Sequence, residues 1–500
     1  MRDVLDFLRA DARLSGAEPS ALAHGAQDSV LVWPDSAWLA RELGESASAS
    51  RRSLRRWETT YDITYHGQGE ADTDGAVANF VGWVSSFTGT QIPDTDMRDW
   101  VAGIAARLLA LPHRRVLDIG CGNGLLIEAI GPFCDHYAAR DLSATAIATL
   151  SARLRQRPDL AHVQVRHDAA DAPIADEAGY DLVVIKSVCQ YFPDAAYLER
   201  VLDNAWACLA PGGHIVVGDA RPLRLQPVLA AAIASSRAPD SLSADALRQA
   251  IHLAWLGQAE LLVDPEFFDR FASDRGGSAT ALLKAGHSRC EMTRYRYDAI
   301  LARPDPAAAA PYRPEPAVLA DLAGLRAWID DGATGLACLC GCANARIAED
   351  VRMAHLLRQA PGDVPLSALR TMAGALPAES VDPGALERVA GAAGLACEIT
   401  PVRGDAEGRF DAWFGPAGSH PAPAGSAMQS DGVQSFASRP LLMQTLRRLA
   451  TSLQSDLAQH LPAARLPAFV LPVLPADHEP GRWSAGLDAV SLTPRPGTTP

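Results

Sequence analysis

The 500-residue sequence is short of positive charge, with a formal net charge of −14 at pH 7. A nucleic-acid backbone is bound through clustered Lys and Arg, and this charge balance provides no such footprint. The one local group of cations is typical of a solvated helix face and consists of Arg51, Arg52, Arg55 and Arg56. We therefore expect no nucleic-acid partner.

Long apolar runs are missing as well. No stretch of about eighteen uninterrupted apolar residues occurs, and Met1-Arg2-Asp3 leads into acids rather than into the apolar part of a signal peptide. These absences predict a cytoplasmic protein without membrane contact. The hydrophobic content of 48% is nevertheless enough for a large core divided into two or three units.

The nine cysteines lack the pattern of a disulfide framework or of a zinc site. Their number is odd and they are scattered along the chain, which favours reduced thiols. Cys338, Cys340 and Cys342 lie close together, but no C-x-x-C pair accompanies them. Alternation within residues 335–342 predicts a strand that buries these thiols on one face, and we expect no metal.

The most informative stretch that is present runs from Arg115 to Gly124. An apolar strand ends on Asp118 and breaks into a glycine turn, and Leu125 to Ile130 then read as a helix. Such a turn presents backbone N–H groups to a ligand that can approach closely. Its glycines, at positions 120, 122 and 124, are one residue too tightly spaced for the dinucleotide fingerprint G-x-G-x-x-G.

Two acidic residues further restrict which ligand can bind at this turn. Asp118 precedes the first glycine, and Asp141 ends the next apolar strand about twenty residues later. Acids around a glycine turn suit a cationic amine and a ribose diol, and S-adenosylmethionine has both and no phosphate. We predict that Asp118, with the backbone of Gly120, Cys121 and Gly122, holds the methionine end of this cofactor. Asp141, followed by Leu142, should take the ribose hydroxyls, and the alternative for Asp141 is a helix cap ahead of Ser143.

Strands and helices alternate regularly beyond residue 96. The pattern predicts an α/β fold whose mostly parallel sheet is covered on both faces, with ligands at the carboxyl ends of the strands. Seven strands are expected at 115–118, 136–141, 162–166, 180–185, 214–218, 279–283 and 292–301. Helices are expected at 96–111, 125–130, 145–157, 195–209, 225–235, 244–256 and 265–271.

Composition divides the chain into four parts. The runs 304–316 and 415–425 are rich in Pro, Ala or Gly and read as linkers. We expect an N-terminal leader or cap at 1–50, a core at 51–303, and a smaller auxiliary α/β region at 304–414. Residues 415–500 should hold a linker, one helix at 441–461 and a Pro-rich tail. In the auxiliary region we expect strands at 335–340, 396–401 and 409–414 and a helix at 383–393.

Several motifs occur in order along the core: Trp57…Tyr61, 81–89 (Val-Gly-Trp-Val-Ser-Ser-Phe-Thr-Gly), the glycine turn, 187–193 (Ser-Val-Cys-Gln-Tyr-Phe-Pro) and 293–298 (Thr-Arg-Tyr-Arg-Tyr-Asp). This set resembles the methyltransferase domain embedded in adenylation domains of nonribosomal peptide synthetases, strongly over 53–303 and more weakly downstream. The resemblance implies a Rossmann-like class I fold, S-adenosylmethionine as cofactor, and N-methylation of an amino-acid-derived or carrier-bound intermediate. A docking partner from the same pathway is possible.

The sequence also departs from that family. The chain has no room upstream for an adenylating core, and Leu492 to Gly497 stand where an Asn-Gly-Lys motif is expected. We therefore expect a free-standing methyltransferase that does not activate amino acids. Val84, Lys186 and Cys290 stand where the family usually has Asn, and we expect all three to flank the pocket. Methylation of oxygen, sulfur or carbon thus stays open, as does a catalytically silent binding or scaffold protein.

The remaining candidates follow from strand ends and from the resemblance. Asp168 and Asp171 compete to bind adenine, and the family's Ala-Asp pair at Ala170 favours Asp171. Lys186 should lie beside the sulfonium but point away from it or meet an acid of the substrate, because two cations repel each other. The expected substrate wall is Trp83, Ser85, Ser86 and Phe87. Candidate proton acceptors are Glu291, Asp219, Tyr191 and His287. The alternative for each is a structural ion pair with Arg221, Arg289 or Arg294.

Overall fold

The computed structural model describes residues 2–19, 29–44, 46–66, 80, 82–174, 179–286, 288–307, 315–374, 380–420, 422, 436–463, 467 and 469–472. The N-terminal region contains α1 (Arg2–Arg9), β1 (Leu14–Pro19), β2 (Ser29–Pro34), α2 (Ser36–Gly44) and α3 (Ser46–His66). β1 and β2 pair antiparallel. These strands were not predicted from the sequence.

The core contains a seven-stranded sheet. Its helices are α4 (Asp94–Leu109), α5 (Leu125–Ile130), α6 (Ala144–Leu154), α7 (Ala195–Cys208), α8 (Gln226–Arg237), α9 (Ala244–Leu256), α10 (Pro265–Ser273) and α11 (Glu291–Arg294). Its strands are β3 (Arg115–Ile119), β4 (His136–Asp141), β5 (Val163–His167), β6 (Tyr180–Lys186), β7 (Leu209–Ala220), β8 (Ser278–Leu283) and β9 (Tyr297–Ala302).

The strand order is β5-β4-β3-β6-β7-β9-β8, with β9 antiparallel to both β7 and β8 and the other pairs parallel. Alternate residues of the central strands bury into two separate cores, one on each face, as expected for a sheet covered on both sides. Leu117, Val183 and Val217 lie in one core, and Val116, Val184 and Val216 in the other. The predicted α/β class with seven strands is confirmed.

Two local predictions in the core were wrong. The strand expected from Met292 begins only at Tyr297, because Glu291–Arg294 form a short helix. The strand expected at 214–218 begins earlier, because β7 already pairs with β6 at Leu209 and continues after a register irregularity.

The order of the strands positions the candidate site. β3 lies between β4 and β6, so the chain leaves β3 toward one side of the sheet for β4 and β5 and later returns to the other side for β6. Such a switch point opens a crevice at the carboxyl ends of the strands. The glycine turn after β3 and the residues after β4 and β6 meet there.

The auxiliary region forms a four-stranded sheet of order β10-β11-β13-β12. Its elements are β10 (Ala317–Leu319), α12 (Leu322–Asp330), β11 (Ala337–Cys342), α13 (Ala348–Gln359), α14 (Leu366–Ala373), α15 (Pro383–Ala392), β12 (Leu395–Pro401) and β13 (Phe410–Pro416). The expectation of three buried thiols was wrong: Cys338 is buried, but Cys340 is exposed. Gly341, at φ +68°, lies in an irregularity of the β11–β13 pairing that breaks the alternation.

The end of the described chain returns to its beginning. α16 (Pro440–His460) is followed by β14 (Phe469–Pro472), which pairs parallel with β2. Leu449, Leu453 and Leu457 of α16 share a core with Val4 and Leu8 of α1. The limits of the four parts stay a prediction, but this contact between the first and last part was not foreseen.

No helix in the described residues is long and apolar enough to cross a membrane. Within the same residues, no group of three or more His, Cys, Asp or Glu side chains is placed to hold a metal ion.

Candidate functional site

A cavity of about 1270 Å³, including its open mouth, lies at the carboxyl ends of β3, β4 and β6. The glycine turn forms its floor and one face of α3 its roof.

The glycine turn has no room for side chains. Gly120, Gly122 and Gly124 have φ values of +81°, +53° and +87°, in the left-handed region that favours glycine. A Cβ on Gly120 would lie 2.8 Å from Cγ2 of Val188, and one on Gly122 would lie 3.0 Å from the Tyr65 hydroxyl. The turn is therefore a close-fitting cradle in which a ligand can approach the backbone.

Asp141 ties this cradle to the next strand. One carboxylate oxygen accepts a hydrogen bond from the Gly122 N–H at 2.8 Å, and the other accepts one from the Ser143 N–H at 2.8 Å. Ser143 itself caps α6 by accepting from the Ala146 N–H, so Asp141 is not the cap. Each carboxylate oxygen has capacity for a further hydrogen bond, and Asp141 lines the cavity. This arrangement fits a diol.

Asp118 supplies a second, deeper carboxylate. It is buried and accepts a hydrogen bond from the Tyr137 hydroxyl at 2.9 Å. Burial raises the pKa of Asp118 to about 7. The negative charge of Asp141 raises this pKa as well, whereas the hydrogen bond from Tyr137 lowers it. A bound cation would favour the ionised form. Two carboxylates beside the glycine cradle thus fit the methionine and ribose parts of S-adenosylmethionine.

The pKa of Asp118 predicts how donor binding depends on pH. Affinity for S-adenosylmethionine should fall as the pH drops below 7, by ~10-fold per unit at the limit, because protonation removes the charge that attracts the donor. Tyr137→Phe removes a hydroxyl that lowers this pKa, so the fall should begin at a higher pH. Calorimetric titration from pH 5.5 to 8.5 measures both profiles. An identical profile in Asp118→Asn would contradict the assignment.

The acid favoured for adenine does not reach the cavity. Asp171 faces α7, where its carboxylate lies 3.6 Å from the Arg200 guanidinium and its carbonyl accepts from the Asn204 amide. Asp168 lines the cavity, as does Ala170. The geometry therefore favours Asp168 over Asp171, because the turn after β5 directs the later acid toward the helix.

A pair of matched variants tests this choice. Asp168→Asn should weaken binding of S-adenosylmethionine by ~10-fold, which corresponds to one hydrogen bond to a charged group. Asp171→Asn, which removes the same charge three residues away, should leave the affinity unchanged. Calorimetry measures both affinities. Weaker binding in Asp171→Asn, with unchanged binding in Asp168→Asn, would assign adenine binding to Asp171 instead.

An aromatic wall faces the cradle. Trp57, Tyr61 and Tyr65 project from α3 at four-residue spacing and line the cavity. Tyr191 joins them, with its ring centre 4.4 Å from that of Trp57 and 5.2 Å from that of Tyr61. Burial raises the pKa of the Tyr191 phenol, which disfavours the phenolate that a base would require. Tyr65 was missed by the sequence analysis, although the i, i+4, i+8 spacing of these aromatics signals a common face.

The loop expected to bind substrate is mostly packed elsewhere. Trp83 does line the cavity and packs edge-on against Trp100 at 4.8 Å between ring centres. The Ser86 N–H and hydroxyl donate to the Glu291 carboxylate at 2.6 and 3.1 Å. Phe87 stacks on Tyr295. Ser85, Ser86, Phe87 and Glu291 are absent from the cavity wall.

Of the three positions where Asn is usual in the resembling family, only Lys186 reaches the wall. Val84 is 54% exposed and forms an isolated bridge with Gln91. Cys290 packs beside Met292 under α4. Lys186 therefore lines the cavity, and the expectation that Val84 and Cys290 flank it stays a prediction.

Behind Lys186 lies a buried ionic cluster. Asp219 accepts from the Trp100 indole N–H at 2.8 Å and from the Ser187 hydroxyl, and it lies 3.2 Å from Lys186 Nζ and 2.8 Å from Lys284 Nζ. Although burial alone raises its pKa, the two lysines bring the pKa of Asp219 well below its ordinary value. So firmly paired a carboxylate is a poor base. His287, the last candidate proton acceptor, lies outside the described residues.

Comparison with known proteins agrees with this geometry. Residues 117–215 match the model of a methyltransferase domain family. About half of the chain is 38% identical over 260 residues to a probable non-canonical nonribosomal peptide synthetase, CymA, of Salinispora arenicola, and 34% identical over 262 residues to chondramide synthase cmdD of Chondromyces crocatus. The matched stretches are only 3% and 7% of those synthetases.

A solved structure, the N-methyltransferase NodS of Bradyrhizobium japonicum, covers 42% of this chain and 98% of its own at 18% identity and a TM-score of 0.29, too low for any argument. The family match and the related sequences lead to the same conclusion as the cradle and its two acids. The chain contains a methyltransferase domain that uses S-adenosylmethionine and is related to segments of nonribosomal peptide synthetases.

Proposed function

We propose that the chain transfers the methyl group of S-adenosylmethionine to the nitrogen of an amino-acid-derived acceptor, either free or bound to a carrier protein. The observation that carries this proposal is a single cavity with the glycine cradle and two acids on one side and an aromatic wall on the other. The relatives named above are peptide synthetases, which supports an acceptor derived from an amino acid.

The cofactor supplies a methyl group that is already activated on a sulfonium. The protein then contributes mainly proximity and alignment for an in-line displacement. Asp118 and Asp141 hold the donor end, while Trp57, Tyr61 and Tyr191 exclude water and provide ring faces that attract a cationic amine. Lys186, in place of the usual Asn, changes the polar contacts on the acceptor side. Methylation of oxygen, sulfur or carbon is therefore the second candidate.

Transfer from a labelled donor tests this proposal. The chain is incubated with donor carrying a ¹³C methyl group and with candidate amino acids, free and loaded on carrier protein, and mass spectrometry locates the label. Label on nitrogen supports the proposal, and label on another atom supports the second candidate. If the chain binds no donor in calorimetry, it is a scaffold rather than an enzyme.

The contact between Glu291 and Ser86 predicts how much Glu291 contributes to catalysis. Since its carboxylate is engaged by Ser86, we expect Glu291→Gln to lower kcat by less than ~10-fold, whereas loss of a general base typically costs ~10²–10⁴-fold. Ser86→Ala should have a similarly small effect, because it removes one of the same two hydrogen bonds. A fall in kcat of a thousandfold in Glu291→Gln, with Ser86→Ala unaffected, would make Glu291 the base after all.

A further inference from the structure

Lysine is scarce in this chain, and both of its lysines lie in one place. Among 45 Lys and Arg residues only two are lysines, Lys186 and Lys284. Both contact the carboxylate of Asp219. Arginine remains charged in proteins, whereas a lysine can lose its proton when it is buried. This cluster therefore holds the two side-chain amines of the chain that can become neutral.

Lys186 is the one of the two that reaches the cavity. Its side chain, at the end of β6, is 6% exposed. Nζ lies 3.0 Å from the centre of the Trp100 ring and 3.2 Å from Asp219. Among the other candidate proton acceptors that the structure describes, none combines these properties, because Asp219 is paired, Glu291 is outside the cavity wall and burial disfavours the Tyr191 phenolate.

The charges around Lys186 are nearly balanced. Asp219 on β7 and Asp298 on β9 favour its cation, and so does Asp118 on β3, while Lys284 after β8 opposes it. Arg107 on α4 and Lys284 both pair with Asp298, and Arg296 acts on Asp219, so these anions are shared among several cations. Burial is the largest influence and, with Lys284, lowers the pKa of Lys186 to about 8. A further positive charge nearby can thus shift Lys186 from the ammonium form to the neutral amine.

We propose that Lys186 gives up its proton to solvent when S-adenosylmethionine binds and then, as a neutral amine, takes the proton that the acceptor must lose. This inference rests on the proposed function. The donor brings a sulfonium cation into the cavity that Lys186 lines, and a like charge at close range disfavours the ammonium form. Binding of the cationic donor therefore converts Lys186 into the neutral amine that can act as the base.

The proton and electron balance is complete without a further reactant. A proton passes from the acceptor ammonium to the Lys186 amine, which leaves a lone pair on the acceptor nitrogen. That pair forms the new N–C bond as the C–S bond breaks, and the electrons of the broken bond stay on sulfur. The positive charge of the sulfonium moves to the methylated nitrogen and leaves with the product, and the Lys186 proton then passes to solvent.

Two lysines allow a direct measurement on the unaltered chain. Protein labelled with ¹³C at lysine Cε should show two such signals by NMR, and the shift of each reports the protonation of its amine. The signal of Lys186 is identified by the ring current of Trp100 and by its persistence in Lys284→Arg. Each signal is followed through a pH titration without ligand, with S-adenosylmethionine and with S-adenosylhomocysteine, which lacks the sulfonium.

We expect the titration midpoint of Lys186 to fall by ~1 unit or more with S-adenosylmethionine, and to move much less with S-adenosylhomocysteine. The Lys284 signal is the internal control and should move less than that of Lys186. Lys186→Arg, which cannot give up its proton, should lose methyl transfer at every pH, while Lys186→Asn should lose the pH dependence that the amine confers. An unchanged Lys186 midpoint in a chain that binds the donor overturns this inference alone, whereas absence of donor binding overturns the proposed function with it.

Discussion

Asp141→Ala is expected to lower the affinity for S-adenosylmethionine by ~100-fold. The variant removes a carboxylate placed for two hydroxyl groups, and a hydrogen bond to a charged group contributes ~1.5–3 kcal/mol. It also removes the acceptor for the Gly122 N–H, which ties the cradle to β4. Calorimetric titration measures the loss directly. Asp141→Asn keeps one acceptor oxygen, so its affinity for S-adenosylmethionine should lie between that of Asp141→Ala and that of the unaltered chain.

A control for Asp141 lies at the opposite end of the same strand. Asp135 precedes β4, and its side chain is 61% exposed in an ion pair with Arg114. Asp135→Asn should bind the donor as the unaltered chain does, because the residue is far from the carboxyl end of the strand. Equal losses in Asp135→Asn and Asp141→Ala would mean that net charge, rather than the geometry of the cradle, governs donor binding.

Asp219→Asn is expected to destabilise the fold by ~3–5 kcal/mol. The substitution leaves Lys186 buried without a paired carboxylate and Lys284 with Asp298 as its remaining one, and breaking a buried pair carries a penalty of this size. Asn is the suitable replacement because Asp219 has φ +64°, a conformation that Asn tolerates better than most residues. Equilibrium unfolding in denaturant measures the change. Asp135→Asn, which breaks an exposed pair, should cost no more than ~1 kcal/mol.

The free energy of unfolding of Asp219→Asn should increase as the pH rises. The pKa of Lys186 in the folded chain, about 8, lies below its ordinary value of 10.5, so the unfolded state binds more protons between these values. The free energy of unfolding contributed by this group therefore rises with pH across that window. Asp219→Asn removes an anion that favours the ammonium, which should extend this window to lower pH and increase the total rise in the free energy of unfolding. A loss of stability that does not depend on pH would indicate a packing defect rather than a buried Lys186 without its counter-ion.

The positions of the glycine turn, Asp118 and Asp141 were predictable from short stretches of sequence, while their role in binding the donor stays a prediction. The strand, glycine turn and helix at 115–130 are contiguous, and the left-handed backbone of the turn requires glycine wherever side chains approach it. Asp118 and Asp141 each end a strand of a parallel sheet, so both had to lie at the same edge. Local order and strand direction were sufficient for these residues.

Prediction failed where residue spacing could not decide the direction of a side chain. Asp168 and Asp171 lie in the same turn, and only the position of α7 shows which of them faces the cavity. Ser86 and Glu291 are 205 residues apart, and the sequence alone assigned one to substrate and the other to catalysis. The structure joins them to each other instead.

The sequence by itself determined the fold class, the cradle and its two acids, because periodicity, strand order and glycine conformation are properties of neighbouring residues. Only the tertiary structure decided that Lys186 enters the cavity and that Asp219 is enclosed by two lysines and Trp100. That cluster joins side chains from α4, β6, β7 and the segment after β8. Its charges are balanced by burial and by distances between residues far apart in the chain, which no local pattern encodes.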